Sequence, residues 1–363
     1  MRILAWPAFD TGELNPYTRI LYRHLGPHGV QVEDFRAWRA LWSSYDIFHL
    51  HWPEYYVANR NPLKAAIGTI GLLFLVFWCR MRGAKVVWTA HNLGSHNRTR
   101  PQAEKWFWRA FTTLLDGYIC LTEGGRQQAR QHFSALNLLP GFVVPHGHYR
   151  GEYPNGVNRR EAREHLNIGA NAQVFMFFGT IARYKNVPEL IRAFRQSPGP
   201  EKVLLIAGAC PSLDDQALLR CIAKADSRIK LHLGFVSREN VQLYFQATDL
   251  VVLPFREILN SGSALLALSF NRPILVPSRG AMPELQAQVG PQWIRTYSGE
   301  LTPSELTRAL EWATTEKRLE EAPLDHFDWS RIAKETLKAY RNIAIRNRDP
   351  RLDSYTRLPD CQV

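Results

Sequence analysis

The chain has 363 residues, a net charge of +12 and a pI near 9.6. Hydrophobic residues make up 45% of it and aromatics 12%, with 11 tryptophans, which excludes a disordered or low-complexity protein. The length points to two domains, and the charge favours anionic partners: nucleic acid, acidic lipid head groups or phosphorylated substrates.

Cysteines at 79, 120, 210, 221 and 361 form no CxxC pair and no metal-ligand spacing, so a reduced, cytosolic setting is expected. The start, "MRILAWPAF", runs directly into a strand-like segment, so no secretory signal peptide is expected. The triplet Asn97-Arg98-Thr99 fits a glycosylation acceptor but reads as chance in a cytosolic chain.

Candidate strands come in two series. The first is 2–5, 31–35, 47–51, 86–89, 118–121 and 142–144; the second is 174–178, 203–207, 229–233, 250–253 and 274–276. Helical patterns lie between most of them, the βαβ rhythm of a parallel sheet. Between the series lies "RGEYPNGVNRREAREHLNIGANAQ", polar and turn-rich, which suits a linker and a short helix. The expected fold class is therefore α/β, with two doubly wound, Rossmann-like domains at 1–165 and 166–328. A C-terminal helix near 329–345 is expected to pack back on the first domain, followed by a basic tail at 346–363. Ligands of such sheets bind at the carboxyl ends of the strands, here in a cleft between the domains.

One segment differs from the rest. "AAIGTIGLLFLVFWC" (65–79) carries no charge and is flanked by Lys64, Arg80 and Arg82. A spanning helix needs about 20 apolar residues, so this run is about one turn short. It reads either as a buried helix of an α/β domain or as a helix lying in a membrane interface, its basic flanks on lipid phosphates. "KWFWR" at 105–109 adds two tryptophans between cations. With the net charge, residues 62–82 and 105–109 are expected to meet an anionic membrane surface.

Polar groups gather after several strands of the first half. "WPAFDTGELNPYTRILYRHL" (6–25) follows the first strand; Asn15 is the expected N-cap and Pro16 suits the first helical turn, so Asp10 and Glu13 face a ligand. "HLHWPE" (49–54) ends the third strand with His49, His51 and Glu54. "WTAHNLGSHN" (88–97) ends the fourth with His91, and "VPHGHY" (144–149) closes the half with His146. Any one histidine is more often a hydrogen-bonded structural residue. The HxH spacing puts two rings on one strand face, but no third ligand has the right context, so no metal is expected.

In the second half, "FGTIARYKNVPELIRAF" (178–194) is a strand end, a glycine, a loop with Arg183 and Lys185, then a helix. Two cations at a strand's carboxyl end can neutralise a diphosphate. "NSGSALLALSF" (260–270) opens a helix with Asn260, Ser261, Gly262 and Ser263. Small polar caps, free N–H groups and a partial positive charge suit phosphate there. Two such loops in one domain favour a nucleotide-sugar donor site over plain capping.

The order "FGTIARYKNVPELIRAF", "LLIAGACP", "IKLHLGFVSRENVQLYFQATDLVVLPF", "SGSALLALSFNRPILVPSRGAMPEL" and "FDWSRIAKETLKAYRNI" resembles the donor domain of GT-B glycosyltransferases, the family 4-like group in particular. The resemblance covers most of residues 170–345. It implies that Lys185 and Arg183 hold the donor diphosphate, that the loop with Phe235 and Val236 lies by the base, and that Ser261, Gly262 and Ser263 cap the phosphate or sugar. Retaining members carry two glutamates eight positions apart. Glu257 can stand for the first, but the second falls on Leu265 or Leu266, and the usual arginine after the strand glycine is replaced by Thr180. These departures leave room for an inverting enzyme.

"RILAWPAFDTGELNPYTRILYRHL" with "FHLHWPE" also resembles bacterial exopolysaccharide mannosyltransferases, the inverting xanthan-type β-mannosyltransferase group (glycosyltransferase family 94). This implies GDP-mannose as donor and a polyprenyl-diphosphate-linked oligosaccharide as acceptor, used by an enzyme peripheral on the inner face of the cell membrane. An inverting transfer needs a general base, for which Glu54, Asp10, Glu13 and His91 qualify by position. Asn15, Tyr17, His51 and His146 are candidate acceptor contacts. No metal cofactor is expected if the cations and the helix start stabilise the leaving diphosphate. Alternatives are a retaining family 4-like enzyme with a UDP- or GDP-sugar, a non-catalytic glycan-binding member, and a nucleic-acid-binding protein. Against the last, the basic residues are dispersed and no DNA- or RNA-binding module is visible.

Overall fold

The computed structural model describes residues 1–10, 15–94, 100–260 and 262–346. Glu13, Ser261, the Asn97-Arg98-Thr99 triplet and the tail beyond residue 346 lie outside the described residues. The chain divides into two compact units, Met1–His146 with the chain from Trp329, and Gly147–Asp328.

The first unit contains, in chain order, β1 (Arg2–Trp6), α1 (Tyr17–Leu25), β2 (Gln31–Asp34), α2 (Ala37–Trp42), β3 (Ile47–Leu50), α3 (Pro62–Met81), β4 (Lys85–Ala90), α4 (Pro101–Thr113), β5 (Gly117–Cys120), α5 (Glu123–His132) and β6 (Gly141–Val143). Its sheet runs β2-β1-β3-β4-β5-β6, every pair parallel. The second unit contains α6 (Arg159–His165), β7 (Gln173–Phe178), α7 (Val187–Arg195), β8 (Lys202–Ala207), α8 (Leu213–Ala223), β9 (Ile229–His232), α9 (Val241–Ala247), β10 (Leu250–Val252), α10 (Gly262–Ser269), β11 (Ile274–Pro277), α11 (Met282–Val289), β12 (Ile294–Tyr297) and α12 (Pro303–Thr315). Its sheet runs β12-β11-β10-β7-β8-β9, again parallel throughout. The last helix, α13 (Trp329–Arg346), packs on α1 and β4 of the first unit.

The expected strands are all present. β12, "IRTY", is an unforeseen twelfth: it is short and half-polar, and carries little pattern of its own. The compact division falls at His146 rather than at 165. The cause is α6, which packs against α9. Its buried Arg163 donates from Nε to the Ala247 carbonyl at 3.2 Å and from Nη2 to Asp249 at 3.0 Å.

Burial follows from composition. β7 ("QVFMFF") and β8 ("KVLLIA") are near-continuous apolar runs, as parallel strands covered on both faces require. In the first unit the core centres on Trp88, fully buried against Trp108 at 5.1 Å, Phe111 and Phe133. Burying each such ring contributes about 1.5–3 kcal/mol. Trp108 is thus core. Of the two tryptophans expected at a surface in "KWFWR", only Trp106 faces solvent, at 71% exposure, because neighbours two apart lie on opposite sides of a helix.

α3 also departs from expectation. It is 20 residues long rather than 15, starting at Pro62 behind Asn61, whose Oδ1 accepts the N–H groups of Leu63 and Lys64. By length and composition it could cross a membrane. It is not a core helix. Only Ala65, Leu72, Val76 and Cys79 are buried, a single stripe facing α2 and β4. Ile70 is 68% exposed, and Leu63, Ile67, Phe74, Phe77 and Met81 are also in solvent. Beside it, α2 exposes Trp38 and Trp42.

Candidate active site

Each sheet has a switch point, where successive connections leave in opposite directions and the loops splay apart. In the first sheet it lies between β1 and β3, in the second between β7 and β10. The described residues that follow the strands at these points are 7–10, 15–16 and 51–61 in the first unit, and 179–186 and 253–260 in the second. Most of the residues singled out in the sequence stand there.

In the second unit the chain leaves β7 through Gly179, at φ +125°. A Cβ on Gly179 would lie 3.0 Å from Ser263 Oγ and 3.3 Å from Lys185 Nζ. Glycine therefore leaves open the spot on which the lysine turn and the first turn of α10 converge. Gly208, after β8, presses still closer: a Cβ there would meet the Gly179 carbonyl oxygen at 2.1 Å. Lys185 is buried among Phe177, Tyr184 and Phe255, its Nζ 5.6–6.0 Å from their ring centres. Among the described residues its Nζ makes no hydrogen bond or ion pair. Burial brings its pKa down to about 8. A desolvated cation without a counter-ion is costly, and an anionic ligand would relieve that cost.

The other second-unit candidates are looser. Arg183 is 86% exposed, its guanidinium 4.0 Å from Asp215. Thr180 and Glu257 are exposed, Asn260 and Gly262 half-buried. Phe235 is exposed and Val236 buried. Leu265 and Leu266, where a second glutamate would fall, are buried in the apolar body of α10.

In the first unit, Asp34 at the end of β2 holds the loop after β1, its Oδ1 accepting the N–H groups of Ala8, Phe9 and Asp10. The Asp10 carboxylate points to solvent and pairs with Arg36 at 3.1 Å. Asn15 Oδ1 accepts the Tyr17 N–H at 3.1 Å, but the cap position is Pro16, so the helix is entered one residue later than expected. Glu54 lies in a short turn after β3 and is buried. Its Oε1 accepts a long 3.4 Å hydrogen bond from Asn92 Nδ2, and desolvation pushes its pKa up to about 7. It is thus poised to exchange a proton near neutrality.

The histidines form one cluster. His51 Nδ1 and His91 Nε2 are 3.0 Å apart. Tyr17 packs against His51, His91 and His146 with ring centres 4.7–5.8 Å away, and Trp52 stacks on His91 at 4.5 Å. Burial depresses the pKa of His51 and of His91 well below the ordinary range, so both are neutral at physiological pH. Among the described residues, no group of three or more His, Cys, Asp or Glu side chains is arranged to hold a metal ion. Asn92, Tyr22, Thr89 and Tyr340 also belong to this region and were not singled out in the sequence. Asn92, next to His91 in a polar strand end, carried the one usable signal.

Two parallel six-stranded sheets, each doubly wound, define the class: this is the GT-B fold of glycosyltransferases. Sucrose-phosphate synthase (tll1590) from Thermosynechococcus elongatus matches with a TM-score of 0.67 at 15% identity, covering 94% of this chain and 99% of that one. Anabaena Alr3699/HepE in complex with UDP-glucose matches with a TM-score of 0.64 at 16% identity, over 98% and 100%. The family model described as "Glycosyl transferases group 1" matches residues 172–312. A GDP-mannose:glycolipid 4-beta-D-mannosyltransferase of Xanthomonas campestris pv. campestris is 30% identical over 332 residues, 90% of this chain and 88% of that protein. The chain belongs to that family and is a glycosyltransferase.

Proposed function

We propose that the enzyme transfers mannose from GDP-mannose, with inversion, onto a polyprenyl-diphosphate-linked oligosaccharide in exopolysaccharide synthesis. The observation that carries this reading is the buried Lys185 ammonium, without an ion-pair partner among the described residues, converging with Ser263 on the open spot at Gly179. That constellation suits a diphosphate. The name of the Xanthomonas relative supports the choice of GDP-mannose and of a glycolipid acceptor.

In this reading the second unit holds the donor. Lys185, the N–H groups at the start of α10 and, more loosely, Arg183 take up the charge that grows on the leaving diphosphate. Asn260 and Gly262 belong to the same tip, and Phe235 and Val236 to the base side. The first unit holds the acceptor, with Tyr17, His51 and His146 beside it. Glu54 is the general base. The acceptor hydroxyl oxygen forms a bond to the anomeric carbon while its proton passes to Glu54. The bond from that carbon to the diphosphate breaks, and its electron pair leaves with GDP.

The acceptor's lipid carrier fits a peripheral site on the cytoplasmic face of the membrane. The exposed apolar face of α3, the tryptophans of α2, Trp106 and the flanking Lys64, Arg80 and Arg82 suit a helix lying in the head-group region.

The test is a thermal-shift panel of nucleotide sugars followed by NMR of the product's anomeric centre. Stabilisation by GDP and GDP-mannose above UDP-sugars, with a β-linked product from the α-linked donor, supports the reading. An α-linked product would replace it with the retaining alternative. For the membrane arm, Phe74→Asp with Phe77→Asp should abolish flotation with phosphatidylglycerol liposomes at unchanged Tm, since both rings lie in solvent. Retained flotation would remove α3 from the membrane site.

A further inference from the structure

The turn that carries Lys185 is closed by a residue in an uncommon backbone state. Asn186 is buried at the cap position of α7, with φ +56° and ψ +33°, in the left-handed region. Glycine enters that region freely; asparagine tolerates it and adds a side chain. An asparagine at a helix start ordinarily accepts an N–H of the first turn. Asn186 makes no such cap, and its Nδ2 instead donates to Glu189 Oε2. The other oxygen of that carboxylate, Oε1, accepts the N–H of Leu301 at 3.0 Å. Leu301 is buried in the connection between β12 and α12.

One carboxylate therefore joins three pieces of the second unit: the lysine turn, the first turn of α7 and the connection ahead of α12. Main-chain bonds close the rest of the turn. The Lys185 N–H donates to the Ala182 carbonyl at 2.9 Å, the Asn186 N–H to the Arg183 carbonyl at 3.2 Å, and the Arg256 N–H to the Tyr184 carbonyl at 2.8 Å. Glu189 stands four residues beyond Lys185, yet it is not a counter-ion. Its two oxygens are engaged by Asn186 and Leu301, and the lowered pKa of Lys185 has burial as its cause, with no carboxylate contributing. The acid thus acts on position. Released from Glu189, Asn186 loses the bond that favours its left-handed state, and L-residues otherwise lean to the right-handed one. The Lys185 ammonium ends a four-carbon stem, so a small backbone rotation at its neighbour carries it away from Gly179 and Ser263.

The geometry points to Glu189 as a positioning residue for the transfer reaction: through the Asn186 amide it holds the turn that aims Lys185 at the open spot beside Gly179 and Ser263. This inference rests on the reading of Lys185 as a diphosphate ligand. The task given to the carboxylate is hydrogen bonding, which a neutral amide can also perform. A glutamine can accept the Leu301 N–H on its oxygen and donate from its nitrogen to Asn186 Oδ1 once the asparagine amide turns over.

Calorimetric titration with GDP and steady-state kinetics, with GDP-mannose as donor and a lipid-linked oligosaccharide as acceptor, test it on the full-length protein. Glu189→Ala should weaken GDP binding about tenfold and lower kcat/KM for the donor to match, with the acceptor KM within about twofold of wild type. Glu189→Gln should stay within about twofold of wild type throughout. Asn186→Gly keeps the backbone state and leaves Glu189 on Leu301; it should cost about fivefold on the donor side. Added to Glu189→Ala, it should cost no more than about twofold further, because both changes break one link. Unchanged GDP binding in a folded Glu189→Ala protein, an equal loss in Glu189→Gln, an acceptor KM raised as far as the donor KM, or additive losses in the double variant would each overturn the proposal. If Glu189→Ala does not fold, the other two single variants decide: a donor-side loss in Asn186→Gly with none in Glu189→Gln supports the proposal, and any other pattern overturns it. Wild type that binds neither GDP nor GDP-mannose would sink the donor reading and this inference together. Normal binding by wild type and by every variant would sink this inference alone.

Discussion

The switch points of the two sheets end in different kinds of chemistry. At the second, main chain and one cation do the work: Gly179 and Gly208 bring backbone close, and among the described residues Lys185 has no counter-ion. At the first, neutral histidine and tyrosine side chains hydrogen-bond one another, and the buried acid Glu54 accepts a long hydrogen bond from Asn92. The contrast follows from what each end would bind. A diphosphate asks for positive charge and N–H donors. A sugar hydroxyl asks for fixed donors and acceptors, and for a base that is not already ionised and solvated.

The contrast can be broken most sharply at Glu54. Glu54→Gln should lower kcat about a thousandfold while GDP still raises the Tm, because a general base contributes about 10²- to 10⁴-fold. A kcat near wild type would move the base elsewhere, and Asp10→Asn, expected to be mild, is then the next candidate. Lys185→Ala should cost about a hundredfold in kcat/KM, with donor KM raised and kcat lowered, since it serves both bound donor and transition state. Unchanged steady-state kinetics would take Lys185 out of the site.

The pH profile probes both ends at once. Glu54 acts as its carboxylate, so kcat/KM should fall as pH drops through about 7; Lys185 acts as its cation, so kcat/KM should fall as pH rises through about 8. Bound diphosphate stabilises the cation, so the alkaline limb of kcat should lie above that of kcat/KM. Coincident limbs would argue against a lysine–diphosphate contact. The smallest effect belongs to Arg183→Ala, about two- to fivefold in kcat/KM, because an exposed guanidinium is screened by solvent.

These two ends also differ in how far they can be read from sequence. The turn at Gly179–Lys185 and the start of α10 are local motifs: a strand, a glycine, a cation and a helix follow within a few residues, so their pattern survives without a structure. The sheets themselves were legible for the same reason, through repeated apolar runs. The histidine cluster was not. Its bonds join residues far apart in the chain, His49 and Tyr340 most of all, and a buried tyrosine on an amphipathic helix looks like any core residue. Nor does sequence reveal that Asn92 touches Glu54, or that α3 turns only one narrow stripe inward. Both depend on how neighbouring elements pack, which periodicity alone does not report.

The capped helix ahead of the second sheet has a practical corollary for cloning. Asn158 closes α6 with a reciprocal cap to Glu161, and α6 brings Arg159 and Arg163 to Asp249. A gene fragment beginning at codon 166 would discard both guanidiniums and strand that carboxylate, at a cost of about 3–5 kcal/mol. A soluble C-terminal half for crystallisation or ligand screening is better started at Gly147, where the fold itself draws the line.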